Sequence, residues 1–399
     1  MTRGVTKALL DETPSKSAIS PPPERSGERR PQGRLPHEVA DLCLTATRPP
    51  LLLTEDKIRT GGNDDVQTGR AGGVMIKGLH HAGLSVANLD GAIQFYTTAH
   101  AFEVIARFHV SDRVDLRAMM AVGNSACEVA LLRGPTGFLE LFHFTNPAEP
   151  DGSPEVYRAG LRHICLQAAD GDWLYDAFVG AGAKSHARPS GLGTGNLYCY
   201  IRDPEDNVLE LEGLPYAASV ASPPWFAHIA LVTPNIQRLS AFYSLVTGAP
   251  VHSTGHFGPE PKYDVVAGLN DIVFDGAWVK AGPLTLEFWQ YHQPKTEPRP
   301  LVDASRLGWS HFALEVDDLD AEYQRLSVAG VHFHAAPMSN GAVRFVYGRD
   351  PDGTIFELLE VLPGHEHLSV DHVAGRDLPA EMDRLAAQFY RAGAQAATS

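Results

Sequence analysis

Apolar and polar residues alternate in four short segments of the chain, and each segment opens a similar run of elements. The segments are 81–86, 163–167, 228–232 and 311–316. Alternation with a period of two predicts strands that bury one face. Each strand is followed by an amphipathic helix, as at 89–99 and 236–247, and then by several further strands. The pattern predicts four βαβββ modules, at about 76–145, 160–215, 225–292 and 309–362.

Two residue types that can bind metals recur at fixed places in these modules. A histidine near the start of each first strand is followed 46 to 59 residues later by a glutamate between two large apolar residues. Three of the four matching positions are 147 residues apart in the two halves, and the fourth is 148 apart. The histidines are His81, His163, His228 and His311, and the glutamates are Glu140, Glu210, Glu287 and Glu357. One such residue alone would more often belong to the framework, but eight residues in register favour shared sites.

The parity of the first strands indicates where these side chains point. The residue two positions after each histidine is small, and the residue three positions after it is leucine. Alternation therefore places the leucine against the helix and the histidine on the opposite face, which we expect to line a cup. A carboxylate in a buried strand is costly unless it meets a counter-charge. Two imidazoles and two carboxylates suit a divalent Fe(II), Mn, Co, Ni or Zn ion.

Composition and charge narrow the class of protein. The chain has 399 residues, enough for two domains, and its 44% hydrophobic and 20% charged residues are typical of a globular protein. A net charge of −15 gives little support to nucleic-acid binding. No apolar run approaches the length of a membrane span, and the four cysteines form no CxxC pair. We therefore expect a cytoplasmic protein that acts on a small molecule.

The modules group into two predicted domains, 75–215 and 225–362, joined by a linker at 216–224. Residues 1–74 lack a sustained period and are predicted to be a disordered extension. One hypothesis is that translation starts at Met75, so that this extension is not made. The remaining segment, 363–399, is predicted to be a tail with a helix at 379–391.

Several motifs resemble the vicinal oxygen chelate superfamily, which includes glyoxalase I, methylmalonyl-CoA epimerase, bleomycin-resistance proteins and extradiol dioxygenases. The resemblance covers about 76–362 and rests on 81–89 with Phe95-Tyr96, on 226–235 with Phe242-Tyr243, and on 311–319 and 350–357. It implies an α+β fold in which the four βαβββ modules pair into two glyoxalase-like domains with cup-shaped mixed sheets. A homodimer is compatible with this resemblance.

The resemblance also implies which residues share a metal ion. In this superfamily, paired modules form one cup, with ligands on the first and last strands of each module. Pairing within each half is assumed here, although modules can also pair across halves. The first cup would then use His81, Glu140, His163 and Glu210, and the second His228, Glu287, His311 and Glu357.

Glyoxalase-like and epimerase-like members use four protein ligands and leave two metal positions for a substrate with two oxygens. A carboxylate moves the proton beside the substrate carbonyl. Both halves keep both glutamates, which favours this lyase or isomerase chemistry. Glu210 and Glu357 are the candidate catalytic carboxylates.

Extradiol dioxygenases are the alternative, because they have a similar length and four modules. They use an Fe(II) triad of two histidines and one carboxylate, here His228, His311 and Glu357. Tyr347 stands where such enzymes place a tyrosine beside the metal ligands, although it could equally pack in the cup wall. Glu287 would block the oxygen position, and the acid–base histidine of these enzymes is missing at 283–285. A metal-free binding module of the bleomycin-resistance kind is a third reading, which the retained ligands disfavour.

Overall fold

The computed structural model describes residues 76–99, 101–150 and 155–398. The extension predicted to be disordered and the alternative start at Met75 lie outside these residues. All four predicted modules lie within them, except for residue 100.

The first and third modules share one order of elements and each carries an extra short helix before its last two strands. The first module contains β1 (Ile76–Ser85), α1 (Leu89–Thr98), β2 (Glu103–Val110), α2 (Val114–Met120), β3 (Cys127–Arg133) and β4 (Phe138–Phe144). The third contains β10 (Trp225–Val232), α4 (Ile236–Thr247), β11 (Val251–Phe257), α5 (Pro261–Ala267), β12 (Val273–Ala281) and β13 (Leu284–Gln293). The extra helix accounts for the longer spacing from histidine to glutamate in these two modules.

The second and fourth modules are more compact, with two very short strands after the helix. The second contains β5 (Gly160–Ala168), α3 (Gly171–Gly180), β6 (Lys184–Ser185), β7 (Ser190–Gly191), β8 (Leu197–Arg202) and β9 (Val208–Gly213). The fourth contains β14 (Gly308–Val316), α6 (Leu319–Val328), β15 (His332–Phe333), β16 (Met338–Ser339), β17 (Val343–Arg349) and β18 (Ile355–Val361). The predicted α+β class with cup-shaped mixed sheets is confirmed.

The modules form two nine-stranded sheets, and each sheet takes one module from each half of the chain. The first sheet has the order β15-β17-β18-β14-β1-β4-β3-β2, with β16 paired to β17. The second has the order β11-β12-β13-β10-β5-β9-β8-β6, with β7 paired to β8. The assumed pairing within each half is therefore wrong: module one pairs with module four, and module two with module three. All four opening strands carry the same alternation, so the sequence could not distinguish these arrangements.

Contacts on the helix side hold the two modules of each half together. The Tyr96 hydroxyl of α1 donates to Asp203 Oδ2 at 3.0 Å, in the turn between β8 and β9. The Tyr243 hydroxyl of α4 donates to Asp350 Oδ2, also at 3.0 Å, in the matching turn of the fourth module. All four side chains are buried. The Phe-Tyr and Asp-Pro motifs thus join neighbouring modules within a half, while the sheets join modules across halves.

The segment that follows the fourth module runs along the first sheet, and we call residues 362–377 the strap. Ser369 Oγ and the Val370 amide donate to the buried carboxylate of Glu315, at 2.6 and 2.8 Å. Val370 also packs with Phe138. The predicted tail helix is present as α7 (Leu378–Thr398), longer than expected. Among the described residues, no helix combines the length and apolarity needed to cross a bilayer.

Candidate metal centres

Eight predicted ligands converge in two groups of four, one on each sheet. The first cup contains His81, Glu140, His311 and Glu357, and the second contains His163, Glu210, His228 and Glu287. Both predicted ligand sets are therefore corrected, because each cup draws two ligands from each half. The residue types and the number per cup are as expected, and only the grouping differs.

Strand register explains why the small residues follow the histidines. In the antiparallel pair β1–β14, Gly83 lies opposite His311, and His81 opposite Ala313. A Cβ atom at Gly83 would come within 2.0 Å of His311 Cε1, so only glycine leaves room there. In the second cup, Cys165 lies opposite His228, and Ala230 opposite His163. Each small residue therefore makes space for the histidine of the paired module.

The ligand atoms of the first cup are spaced as a single cation would require. His81 Nε2 lies 3.2 Å from Glu140 Oε2 and 3.4 Å from Glu357 Oε2. His311 Nε2 lies 3.7 and 3.5 Å from the same two oxygens. Ligand atoms held about 2.1 Å from one ion are separated by about 3 to 3.4 Å. The four side chains thus fit one divalent cation with modest adjustment.

The second cup has a similar spacing. His228 Nε2 lies 2.9 Å from Glu210 Oε2 and 3.2 Å from Glu287 Oε2. His163 Nε2 is 3.2 Å from Glu210 Oε2 and 3.9 Å from Glu287 Oε2. All four residues are buried or nearly so. Both cups can therefore hold an ion by distance alone.

In the metal-free protein, the close approach of histidines and glutamates shifts the pKa values of several of these side chains. Burial lowers the pKa of His81, but Glu140 and Glu357 more than reverse this and raise it to about 10. Burial raises the pKa of Glu140, but His81 and His311 bring it below its usual range. In the second cup, burial is likewise outweighed, and contacts with His163 and His228 lower the pKa of Glu210 to about 2. Glu140 and Glu210 are thus ionised and ready to bind a cation.

A serine fixes the ring orientation of His311. Ser310 Oγ donates its single hydrogen to the Gly83 carbonyl at 3.1 Å and lies 3.0 Å from His311 Nδ1. Because that hydrogen is already used, Ser310 Oγ must accept from His311 Nδ1–H. The remaining ring nitrogen, Nε2, then presents its lone pair to the cup, as a metal ligand should.

A second histidine does the same for His81. His80 is buried, stacks on Phe138 with ring centroids 4.5 Å apart, and its Nε2 lies 2.7 Å from the Leu368 carbonyl in the strap. Burial and the neighbouring His81 lower the pKa of His80 to about 3, so its ring is neutral. A carbonyl only accepts, so His80 Nε2 carries the hydrogen and Nδ1 accepts from His81 Nδ1 at 2.8 Å. The strap therefore helps to direct His81 Nε2 into the cup.

Glu287 of the second cup is held by two tryptophans. Trp278 Nε1 donates to Glu287 Oε1 at 2.6 Å, and Trp289 Nε1 donates to Glu287 Oε2 at 3.0 Å. The residues 147 positions earlier are Leu131 and Phe142, neither of which can donate a hydrogen bond. Glu140 of the first cup is consequently free of indole donors.

The two cups repeat one plan within one chain, and the sequence comparison agrees. The profile of the glyoxalase/bleomycin resistance protein/dioxygenase superfamily matches residues 78–211 and 225–358, more than half of the chain. The chain belongs to this superfamily. Comparison with curated proteins finds no significant match.

A solved structure, that of glyoxalase I, shows the same fold at low sequence identity. Glyoxalase I from Zea mays is 18% identical, with a TM-score of 0.52 over 74% of this chain and 96% of that chain. A mutant of 4-hydroxymandelate synthase from Streptomyces coelicolor is 16% identical, covering 78% of this chain and 99% of that chain, with a TM-score of 0.28. The similarity to glyoxalase I establishes the superfamily fold for this chain and nothing narrower.

A cavity of about 690 Å³ opens over the first cup. Its apolar wall includes Val129, Phe142 and Phe345, and Glu140 and Glu357 lie at its base. The Glu140 side chain is 18% exposed and that of Glu357 5% exposed. A mainly apolar cavity with convergent polar groups is the usual form of a small-molecule site.

The three residues proposed as a dioxygenase triad are not brought together. His311 and Glu357 are in the first cup, whereas His228 is in the second. The argument that Glu287 blocks the oxygen position of this triad fails for the same reason. Tyr347 does lie in the first cup, with its hydroxyl 3.3 Å from His311 Nε2, and burial and Glu357 raise its pKa well above the usual value.

Four residues that hydrogen-bond to the ligand residues of the two cups were not predicted from sequence. His80 and Ser310 each precede a ligand histidine, and comparison of the four positions before these histidines could have suggested a role for both. Trp278 and Trp289 could have been found by aligning the halves at a spacing of 147, since their counterparts are not tryptophan. Trp289 lies two residues after Glu287 in β13, whereas the contact of Trp278 with Glu287 depends on the β12–β13 register.

Proposed function

We propose that the first cup binds a divalent cation and catalyses proton transfer next to a carbonyl, as in lyases or isomerases of the glyoxalase or epimerase type. The single observation that carries this proposal is the convergence of four ligands at the base of an open cavity. The ligands are His81, Glu140, His311 and Glu357. The substrate would be a small molecule that offers two oxygens.

Two buried atoms without hydrogen bonds support metal binding. Within the described part of the chain, Glu357 Oε2 in the first cup and His163 Nε2 in the second are buried and make no hydrogen bond. Each lies instead near a ligand of the same cup, Glu357 Oε2 3.4 Å from His81 Nε2 and His163 Nε2 3.2 Å from Glu210 Oε2. Both atoms belong to the ligand sets, so a cation in each cup would satisfy them. The donor set of imidazole and carboxylate suits Fe(II), Mn, Co, Ni or Zn.

A cation bound in the first cup would polarise the substrate carbonyl and acidify the adjacent C–H bond. The chain itself supplies the group that carries the proton. Glu357 is the carboxylate of this cup predicted from sequence for this role, and Glu140 is its counterpart in the paired module. The side chain of Glu140 is more exposed to the cavity, so we extend the assignment to Glu140 and expect it to be the main proton carrier. Ser310 and His80 hold the two imidazoles in the required tautomer.

The second cup is less suited to catalysis in this proposal. Both carboxylate oxygens of Glu287 already accept indole N–H groups, which fixes the orientation of the carboxylate. The rings of Trp278 and Trp289 pack together with centroids 5.4 Å apart, beside Phe257. We infer that the second cup serves as a metal-binding or structural centre. The role assigned to Glu210 from sequence is therefore proposed as ligation rather than proton transfer.

One observation favours the dioxygenase alternative. Tyr347 lies beside His311 in the first cup, and a triad could be formed there by His81, His311 and Glu357. Such a triad would leave Glu140 without a role at the metal. Glu140 is close to both histidines, so the four-ligand proposal accounts for more of the site.

The test combines metal analysis of the purified protein with two assays. Incorporation of solvent deuterium into a 2-oxo or thioester substrate, without oxygen uptake, is the expected result. Oxygen uptake with catechols would replace the proposal with the dioxygenase alternative. The cytoplasmic location and the homodimer expected from sequence stay predictions, for which cell fractionation and size-exclusion chromatography are the tests.

A further inference from the structure

A separate histidine–carboxylate group lies on the second sheet, on the face that points away from the cup. We call it the outer cluster, and it consists of His256 in β11, Asp275 in β12 and His292 in β13. Asp275 is three residues before Trp278, whose indole faces the cup, and an odd separation on a strand reverses the face. His292 is the unpaired residue at the irregularity in the β12–β13 register, and its contact with Asp275 places it on the same side. The outer cluster is therefore distinct from the second cup.

The three side chains already converge. His256 Nδ1 lies 2.6 Å from Asp275 Oδ1, and His292 Nε2 lies 2.8 Å from Asp275 Oδ2. His256 and Asp275 are direct partners in the β11–β12 register. One ligand atom from each residue can be chosen so that all three lie within 4.8 Å of one another. Three adjacent strands thus present two imidazoles and one carboxylate at one point.

We propose that the outer cluster is a third metal site, and that the ion it binds is Zn²⁺. Two histidines and one carboxylate form a common three-residue zinc set, with water in the fourth position. The side chains of His256, Asp275 and His292 are 65%, 27% and 40% exposed, so solvent reaches that position. A bound ion would connect β11 to β12 and β13, the two strands that carry the tryptophans of the second cup. This site lies beyond the proposed function and does not depend on it.

The first module provides a comparison within the same chain. The residues 147 positions before His256 and Asp275 are His109 and Glu128, again direct partners in register. There, however, Arg107 donates to Glu128 and bonds Asp90 at 2.7 Å, so a guanidinium already occupies the carboxylate.

The third module lacks this competing cation. The position equivalent to Arg107 is Thr254, a neutral residue too short to replace it. The position equivalent to His292 is Thr145, and the histidine opposite Glu128 in the first module is His143, whose Nδ1 lies 3.1 Å from the Val86 carbonyl. The repeat therefore carries a converged ligand set on one sheet and a set blocked by a guanidinium on the other.

This comparison supplies the test. Zn²⁺ bound per chain is measured by equilibrium dialysis and elemental analysis for the full-length protein and for three variants. Thr254→Arg imports the guanidinium of the first module, His256→Gln removes one exposed ligand, and His109→Gln is the matched control. Circular dichroism confirms that each variant is folded.

We expect Thr254→Arg and His256→Gln each to bind one equivalent of Zn²⁺ fewer than the parent, and His109→Gln to bind the same number. Zn²⁺ should also raise the thermal midpoint of the parent more than that of Thr254→Arg, because binding to the folded state stabilises it. Unchanged stoichiometry in His256→Gln overturns the proposal. An equal loss in His109→Gln also overturns it, since that result would indicate nonspecific binding by surface histidines.

Discussion

The two cups contain the same ligand types in similar geometry, yet the neighbours of one glutamate differ between them. Glu140 has Leu131 and Phe142 at the positions where Glu287 has Trp278 and Trp289. The indoles donate to both oxygens of Glu287, while Glu140 opens towards a cavity of about 690 Å³. A metal-ligand set therefore does not by itself make a catalytic site. The groups that surround one carboxylate decide whether it remains available to a substrate.

The largest expected effect comes from exchanging the matched glutamates for glutamine. With saturating metal, Glu140→Gln should lower kcat by about 10²- to 10⁴-fold, the range attributed to a general acid–base group. Glu287→Gln should have a much smaller effect, because both oxygens of that carboxylate already accept indole N–H groups. Steady-state kinetics of the two variants make the comparison. A larger loss in Glu287→Gln would reverse the assignment of the cups.

The supporting residue His80 should control the metal affinity of the first cup. His80→Phe keeps the stacking on Phe138 but removes the acceptor for His81 Nδ1–H, and we expect metal binding to weaken by about 10- to 100-fold. His80→Asn, which retains an acceptor, should recover part of the loss. Co²⁺ titration followed by optical absorption measures the affinity. If His80→Phe folds and binds Co²⁺ like the parent, the hydrogen bonds that link His81 through His80 to the Leu368 carbonyl do not support metal binding.

Much of the fold and both ligand types could be predicted from sequence, for a physical reason. The ligands occupy fixed places in a strand pattern that repeats every 147 residues, and period and parity are local properties. The pairing of modules depends instead on which opening strands meet. Here, Gly83 must lie opposite His311, 228 residues away, and nothing in the local pattern of either strand specifies that partner.

The hydrogen bond from Trp278 to Glu287 in the second cup could not be predicted from sequence for the same reason. Trp278 and Glu287 are cross-strand partners in the β12–β13 register, so their contact appears only once that register is known. The strap contact between Leu368 and His80 joins residues that share no repeat relationship. Long-range contacts of this kind carry no periodic signal.

Removing the indole donors should make the second cup resemble the first. Trp278→Leu and Trp289→Phe copy the residue types of the first module, and each deletes a hydrogen bond to a charged group. We expect each change to lower the free energy of unfolding of the metal-free protein by about 2 kcal/mol. Chemical denaturation measures this loss. Metal affinity of the second cup should rise in the double variant, and unchanged affinity would contradict the view that the indoles compete with a cation for Glu287.

The smallest expected effect is a dependence of metal-free stability on pH. The folded pKa of His81 is raised to about 10, so its contribution is fully present below about pH 6.5 and is lost as pH rises towards 10. The folded pKa of Glu140 is lowered, so its contribution is present above about pH 4.5 and is lost as pH falls. The thermal midpoint should therefore decrease from pH 6.5 to pH 9.

A variant and a metal-loaded sample show how much of this decrease in the thermal midpoint comes from His81. His81→Gln should remove the part due to the first cup, and saturating metal should remove it as well, because the cation replaces the proton on His81. Scanning calorimetry at the two pH values provides the measurement. A midpoint that rises towards pH 9 in the metal-free parent would contradict the proposed charge state of the cup.

The most direct test of catalysis in the first cup compares His81→Ala with His228→Ala, two ligands separated by 147 residues. Each variant is assayed for bound metal and for solvent-deuterium exchange into a 2-oxo substrate. The account predicts that each loses the metal of its own cup, and that exchange falls by more than about 100-fold only in His81→Ala, since loss of a direct ligand should exceed that of a supporting residue. Loss of exchange in His228→Ala, with exchange retained in His81→Ala, would contradict it.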